Sequence, residues 1–251
     1  MPAINWKKTA IVVCDILVAA YLLLAITAFN KPGAKETHCT EVKINIEKSE
    51  VEGFLNVGEI KRILSQEHAY PLSQPMEAIS SRKIEECLQK SPFVEKAECH
   101  KTQSGHVCIS IKQRTPVVRV MPDNGESYYI DSQGNFMPEN RYVTDLLIAT
   151  GTISRKYAQS RLTTVAKTIM QDDFWKNQIV QINVLSNGTI ELVPRVGDHI
   201  IYLGSPTMIE QKLERTRKFY LYGLNKAGWN KYSYINVEFS NQIICKKRKN
   251  H

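Results

Sequence analysis

The longest unbroken apolar stretch of the chain runs from Thr9 to Phe29, with a single charge at Asp15. A helix of that length rises about 30 Å, the thickness of a bilayer's hydrocarbon core, so residues 9–29 are expected to form a transmembrane helix. Trp6, Lys7 and Lys8 precede the run and Lys31 and Lys35 follow it, flanks that favour a cytoplasmic N-terminus. The run exceeds a signal-peptide core of about 7–15 residues, which points to an uncleaved anchor. Asp15 is expected at the cytoplasmic interface or against a polar group of a partner helix. Residues 1–8 are then a short cytoplasmic tail, and 30–41, with Pro32 and Gly33, a linker.

Beyond the linker the pattern shortens to periods of two and of 3.6. Val42, Ile44 and Ile46 alternate with polar residues, as in a half-buried strand. Val57, Ile60, Ile63 and Leu64 form a helical stripe, with Asn56 expected as its N-cap. Ile84, Cys87 and Leu88 share the face of a second helix, which Pro92 ends. Two strands follow around Gly105, with Val107, Ile109 and Ile111 on the inner face of the second. The order is β-α-α-β-β over residues 42–115. Further on, Asn124-Gly125 and Asn187-Gly188 stand between apolar alternations, a strong hairpin signal, and Gly134 marks another turn. Two helices are expected among these strands. One aligns Ala158, Leu162, Val165, Ala166 and Ile169; the other opens at Ser205-Pro206 and runs through Ile209, Leu213, Thr216 and Tyr220. A single last strand is expected over about 233–245, with Ile235, Val237 and Phe239 in phase and a bend at Asn241. The reading is an α+β chain with a mixed β-sheet domain over 116–245 and a basic tail over 246–251.

Composition adjusts this picture. With 251 residues, 43% hydrophobic and 23% charged, the chain can fill the cores of about two domains. Half of the net charge of +8 sits in Lys246, Lys247, Arg248 and Lys249, which reads as a solvated end. The remaining charge supports a membrane-tethered binder of anionic polymer or nucleic acid only as an alternative. Cys99, His100, His106 and Cys108 crowd one hairpin, yet strand alternation turns Cys99 to the core and Cys108 outward. That blocks a disulfide and leaves His100, His106 and Cys108 without a fourth ligand, so neither a bridge nor a structural zinc site is expected. No GxSxG, HExxH, GxGxxG or phosphate-loop motif occurs. Asp131 is expected to bond its own turn, and Asp172 and Asp173 merely precede Phe174 and Trp175. No catalytic residue and no cofactor is assigned.

The segment Pro92, Val94, Ala97 and Cys99, then Arg114 and Pro116, then Tyr129, Asp131 and Gly134, resembles the FtsQ/DivIB family of bacterial cell-division proteins. In that family a single anchor leads to a POTRA domain, which ends in P-x-V-x-x-A-x-V, an alternating strand and an E-R-x-P-like corner, before an aromatic-x-D-x-x-G hairpin. Two positions depart: Cys99 replaces an aliphatic residue, and Gln113 stands where an acid is common. The resemblance implies a non-catalytic bitopic scaffold in the cytoplasmic (inner) membrane at the septum. Its outer domains would bind small single-span coiled-coil proteins, FtsB and FtsL or their DivIC-type equivalents, and other divisome membrane proteins, linking early and late components. No nucleic-acid partner is then expected. Docking is assigned to the final strand as a sheet edge that takes up a partner strand, through Val237, Glu238, Phe239, Asn241 and Ile243, with Arg217 and Tyr220 of the neighbouring helix. Asn236 and Glu238 stand where the family often has an acid and a base. A POTRA-containing envelope transport factor is a further alternative, though it would need repeated units or a barrel.

Overall fold

Most of the apolar alternations become strands of one of two sheets in the computed structural model, which describes residues 6–29, 37–47, 54–139 and 146–248. The first element, α1 (Trp6–Phe29), is one continuous helix of 24 residues. Its apolar side chains are exposed in every direction, Ile11, Val12, Val13 and Leu17 among them, so it has no single core-facing stripe. Side chains are described from Ala10 to Ile26, and no helix among the described residues is long and apolar enough to cross a membrane.

The smaller domain contains β1 (Glu41–Ile46), α2 (Val57–Gln66), α3 (Ser81–Gln89), β2 (Val94–Lys101) and β3 (His106–Gln113). Its sheet order is β1-β3-β2, with β1 parallel and β2 antiparallel to β3. Asn56 starts α2 as expected, its Oδ1 accepting the Glu59 amide at 2.9 Å. Ser80 does the same for α3 through the Lys83 amide, at 3.2 Å. Ile60 and Leu64 from α2, and Ile84, Cys87 and Leu88 from α3, bury against Val107, Ile109 and Ile111. Burying an aliphatic side chain of this kind contributes about 1.5–3 kcal/mol. Val57, assigned to the α2 stripe, is instead 42% exposed, because it stands at the first helical position beside the cap. Cys99 faces the core opposite Ile109, while Cys108 pairs with His100 and is half-buried.

Among the described residues the larger domain forms a nine-stranded mixed sheet. It comprises β4 (Pro116–Pro122), β5 (Tyr128–Asp131), β6 (Phe136–Pro138), β7 (Leu147–Gly151), β8 (Ile179–Val184), β9 (Ile190–Pro194), β10 (Ile200–Gly204), β11 (Tyr232–Asn236) and β12 (Ile244–Lys247). Spatial order is β12-β11-β10-β9-β8-β7-β4-β5-β6. Asn124-Gly125 and Asn187-Gly188 lie in the β4–β5 and β8–β9 hairpins, with both glycines at positive φ. The pairs β4–β7, β7–β8 and β10–β11 are parallel. Helices join β7 to β8 and β10 to β11. Both crossovers advance in the same direction between similarly oriented strands, so a common right hand places them on one face.

That helical layer is richer than the two helices expected. The first crossover consists of α4 (Arg155–Tyr157), a π turn (Ala158–Leu162), α5 (Thr163–Met170) and α6 (Asp173–Gln178). The Thr163 hydroxyl donates to the Ala158 carbonyl at 2.8 Å, satisfying a buried acceptor inside the π turn. The Asp172 carboxylate caps α6 through the Phe174 and Trp175 amides, at 3.0 and 3.2 Å. The second crossover is α7 (Ile209–Lys218), a π turn (Phe219–Leu224) and α8 (Asn225–Ala227). Ser205-Pro206 does not begin α7: Met208, left-handed at φ 52, precedes the first turn. The expected inner residues Ala158, Leu162, Val165, Ala166 and Ile169, and Ile209, Leu213, Thr216 and Tyr220, are all buried.

Candidate partner-binding edge and domain junction

The chain from 233 to 245 is not one strand. It leaves β11 at Asn236, turns through residues 237–243, and returns as β12, antiparallel to β11 with Asn236 opposite Ile244 and Ile235 opposite Cys245. The outermost strand at this end of the sheet is therefore β12, and it contains Lys246 and Lys247, which the charge pattern alone assigns to a solvated tail. Alternation reaches only as far as Val237 because Asn236 then engages its own turn, its side chain accepting the Glu238 amide at 2.9 Å.

The residues assigned to docking divide by burial. Val237 is fully buried; its amide donates to the Tyr202 carbonyl at 3.0 Å and its own carbonyl accepts from Arg215 Nη2 at 2.7 Å. Tyr220 is also buried, its hydroxyl 2.7 Å from His199 Nε2 and its ring against Trp175 and Trp229. Burial pushes its phenol up. Arg217 is engaged within the chain, paired with Asp172 and stacked over Phe174 at 5.0 Å. Ile243 is half-buried against the core. Phe239 is 44% exposed, Asn241 is exposed and Glu238 half-buried. Ile244, at 49% exposure, and the exposed Lys246 and Lys247 join them on β12. Four residues of alternation, ICKK, are too few to have identified that strand from sequence.

The turn that presents Phe239 rests on a fixed base. Lys212 is 2% exposed, and its Nζ donates to the carbonyls of Leu203 at 2.9 Å and Ser205 at 2.7 Å. Burial pushes its ammonium down, against the opposing pull of Glu238. Gly204 lies at φ 69, a conformation that favours glycine, and a Cβ there would come 2.5 Å from the Glu238 carboxyl and displace it.

The motif residues of the sequence converge at the other end of the sheet. Arg114 leaves β3 and forms a buried ion pair with Asp131 on β5; its Nε and Nη2 donate to the carbonyls of Pro92 at 3.1 Å and Val94 at 3.2 Å. Asp131 also accepts the Gln133 and Asn135 amides, at 2.9 and 2.8 Å, and Asn135 Nδ2 at 2.9 Å. Burial alone would raise this carboxyl, but the bonds from Asn135, Arg114 and Gln133 outweigh it and hold it below the ordinary value. Gly134, at φ 86, would place a Cβ 2.8 Å from the Gln159 carbonyl. Phe54, Tyr129, Met137 and Leu146, with Phe93 against them, close the junction between domains. Gln113 is buried and its Oε1 accepts the Leu55 amide at 3.1 Å, which suits a neutral amide where the family often has an acid.

The hairpin of Cys99 to Cys108 divides its polar groups. His106 lies 3.5 Å from Glu41, and His100 beside Glu98. Among the described residues no group of three or more His, Cys, Asp or Glu side chains is placed to hold a metal ion.

Comparison with known proteins bears on both domains. A POTRA-like domain is matched over residues 37–112. The family described as FtsQ/DivIB, C-terminal related, is matched over residues 115–246, more than half of the chain. No curated protein matched the sequence. The two matches flank Gln113 and Arg114, where the structure joins the domains, and the chain accordingly belongs to the FtsQ/DivIB family, with a role related to cell division.

Proposed function

We propose that this protein is a non-catalytic scaffold of the bacterial divisome that takes up a strand of a small coiled-coil division protein, of the FtsB/FtsL or DivIC type, on the β12 edge. The observation that carries the reading is the open edge itself: a terminal strand with Ile244, Lys246 and Lys247 exposed, beside a turn that holds Phe239 in solvent. An edge strand offers unpaired backbone N–H and C=O groups, and exposed lysines discourage self-pairing while leaving an acidic partner welcome. Of the residues first assigned, Phe239, Asn241, Glu238 and Ile243 remain at the docking surface; Val237, Arg217 and Tyr220 shape it from within.

The same reading makes residues 9–29 a membrane anchor, with a short N-terminus inside and both domains outside, concentrated at the septum. The apolar side chains exposed all round α1 support it, since a helix in lipid needs no polar face. Phe239→Ala combined with Ile244→Asp should abolish co-purification of the coiled-coil partners while the fold and membrane insertion persist. Undiminished co-purification would overturn the docking edge. Reporter fusions after residue 40 that face the cytoplasm would overturn the topology.

A further inference from the structure

His199 stands in the turn that leads into β10, 3% exposed, among the largest aromatic side chains of the domain. Its Nε2 meets the Tyr220 hydroxyl at 2.7 Å, whereas its Nδ1 is buried with no hydrogen-bond partner among the described residues. The neighbouring Asp198 receives Arg248 twice, at its carboxylate and at its backbone carbonyl. Arg248 directly follows β12, and its amide donates to the Lys231 carbonyl at 3.0 Å, continuing the β11–β12 pairing. One turn thus holds both the buried imidazole and the clasp on the end of the terminal strand. The groups that act on the imidazole are Asp198 from its own turn, Tyr220 from the π turn after α7, and Arg248 from beyond β12.

We propose that His199 is a proton-operated latch: neutral, it lets Arg248 clasp Asp198 and hold β12 in the sheet, and protonated, it releases that clasp and frees the edge. The chemistry follows from the geometry. A second N–H on the ring has no acceptor at Nδ1, and the new cation shares its surroundings with the Arg248 guanidinium. An unpaired buried donor and a like charge both favour the opened turn. Burial, and then Arg248, hold the imidazole below its ordinary value. Closure is therefore fully favoured above pH ~6.5 and is lost as pH falls from there through the folded-state value. The latch regulates the docking edge and so rests on that reading for its biological meaning, but its operation needs no partner.

The test is amide hydrogen exchange of the full chain in detergent micelles between pH 7.5 and 5.0, corrected for intrinsic exchange. Opening of residues 244–248 should rise by up to about tenfold per pH unit below the ordinary histidine value, while β8 and β9 stay protected. His199→Gln should remove that dependence, and Arg248→Gln should leave β12 open already at pH 7.5. An identical pH profile in wild type and His199→Gln would overturn the latch, as would acceleration spread evenly over the nine strands. Partner capture at pH 7.5 and 5.5 is read separately: partners that never bind sink the docking edge, while localised exchange leaves the latch standing.

Discussion

Replacing Asp131 with asparagine tests the junction most directly. The side chain keeps its size, and its oxygen can still accept the Gln133 and Asn135 amides, but an NH₂ group then faces the Arg114 guanidinium and the Asn135 amide. The Arg114 and Asp131 side chains are only 16% and 5% exposed, so solvent cannot compensate the stranded charge. Removing one partner of a buried pair costs about 3–5 kcal/mol. With a urea dependence of roughly 1–3 kcal/mol per molar, the unfolding midpoint should fall by at least about 1 M. Trp175, buried in the larger domain, provides the fluorescence signal. A pH series sharpens the assay. Because the folded carboxyl lies below its ordinary value, its contribution is whole above pH ~3.9 and is lost as pH falls through the folded value. Wild type should therefore lose stability in that acid window more steeply than Asp131→Asn, and the two should converge. An Asp131→Asn midpoint equal to that of wild type at pH 7, with a parallel acid profile, would refute the claim that this pair holds the domains together.

Three further outcomes are expected. Cys99→Asp should unfold the smaller domain, because it buries a carboxylate beside Glu85, which already accepts the Cys99 amide, whereas Cys108→Ser should cost little; circular dichroism melts compare them. Asn56→Ala should remove the α2 cap at about 1 kcal/mol, read as a small drop in the denaturation midpoint. Gly134→Ala should destabilise by more than about 1 kcal/mol, since it combines a left-handed φ with a backbone contact at Gln159, and thermal melting measures it.

The parts of this fold that the sequence foretold are those decided within a few residues. Alternation placed Cys99 inward and Cys108 outward, and the Asn-Gly pairs located two hairpins. Asn56 announced a helix start because the amide its side chain accepts, that of Glu59, lies three residues away. What escaped depends on distant partners. Ser205-Pro206 has the chemistry of a helix start, but the carbonyls of Leu203 and Ser205 are taken by Lys212, and the helix begins only after Met208. Tyr220 belongs to the inner stripe of its helix, as its spacing predicts, but the contact of its hydroxyl with His199, 21 positions away, which withdraws it from a docking surface, has no local signal. The final strand escapes for the same reason: nothing local tells Ile244 that it will lie opposite Asn236.

The order of the nine strands has a metrical consequence. The smaller domain is clamped at the β5–β6 end through Phe54, Phe93, Tyr129 and Met137, while β12 closes the opposite end. Eight inter-strand steps of about 4.8 Å separate the two ends, roughly 38 Å along the sheet and somewhat less in a straight line because of twist. Because each step is a hydrogen-bonded pairing within one sheet, that span cannot shorten without breaking the sheet, and the Arg114–Asp131 pair and the Phe54–Tyr129 packing fix the smaller domain to its end. On the docking proposed above, the molecule would act as a gauge block: a partner strand joined to β12 would be held a set distance from anything bound to the smaller domain, so that spacing would be imposed by the protein.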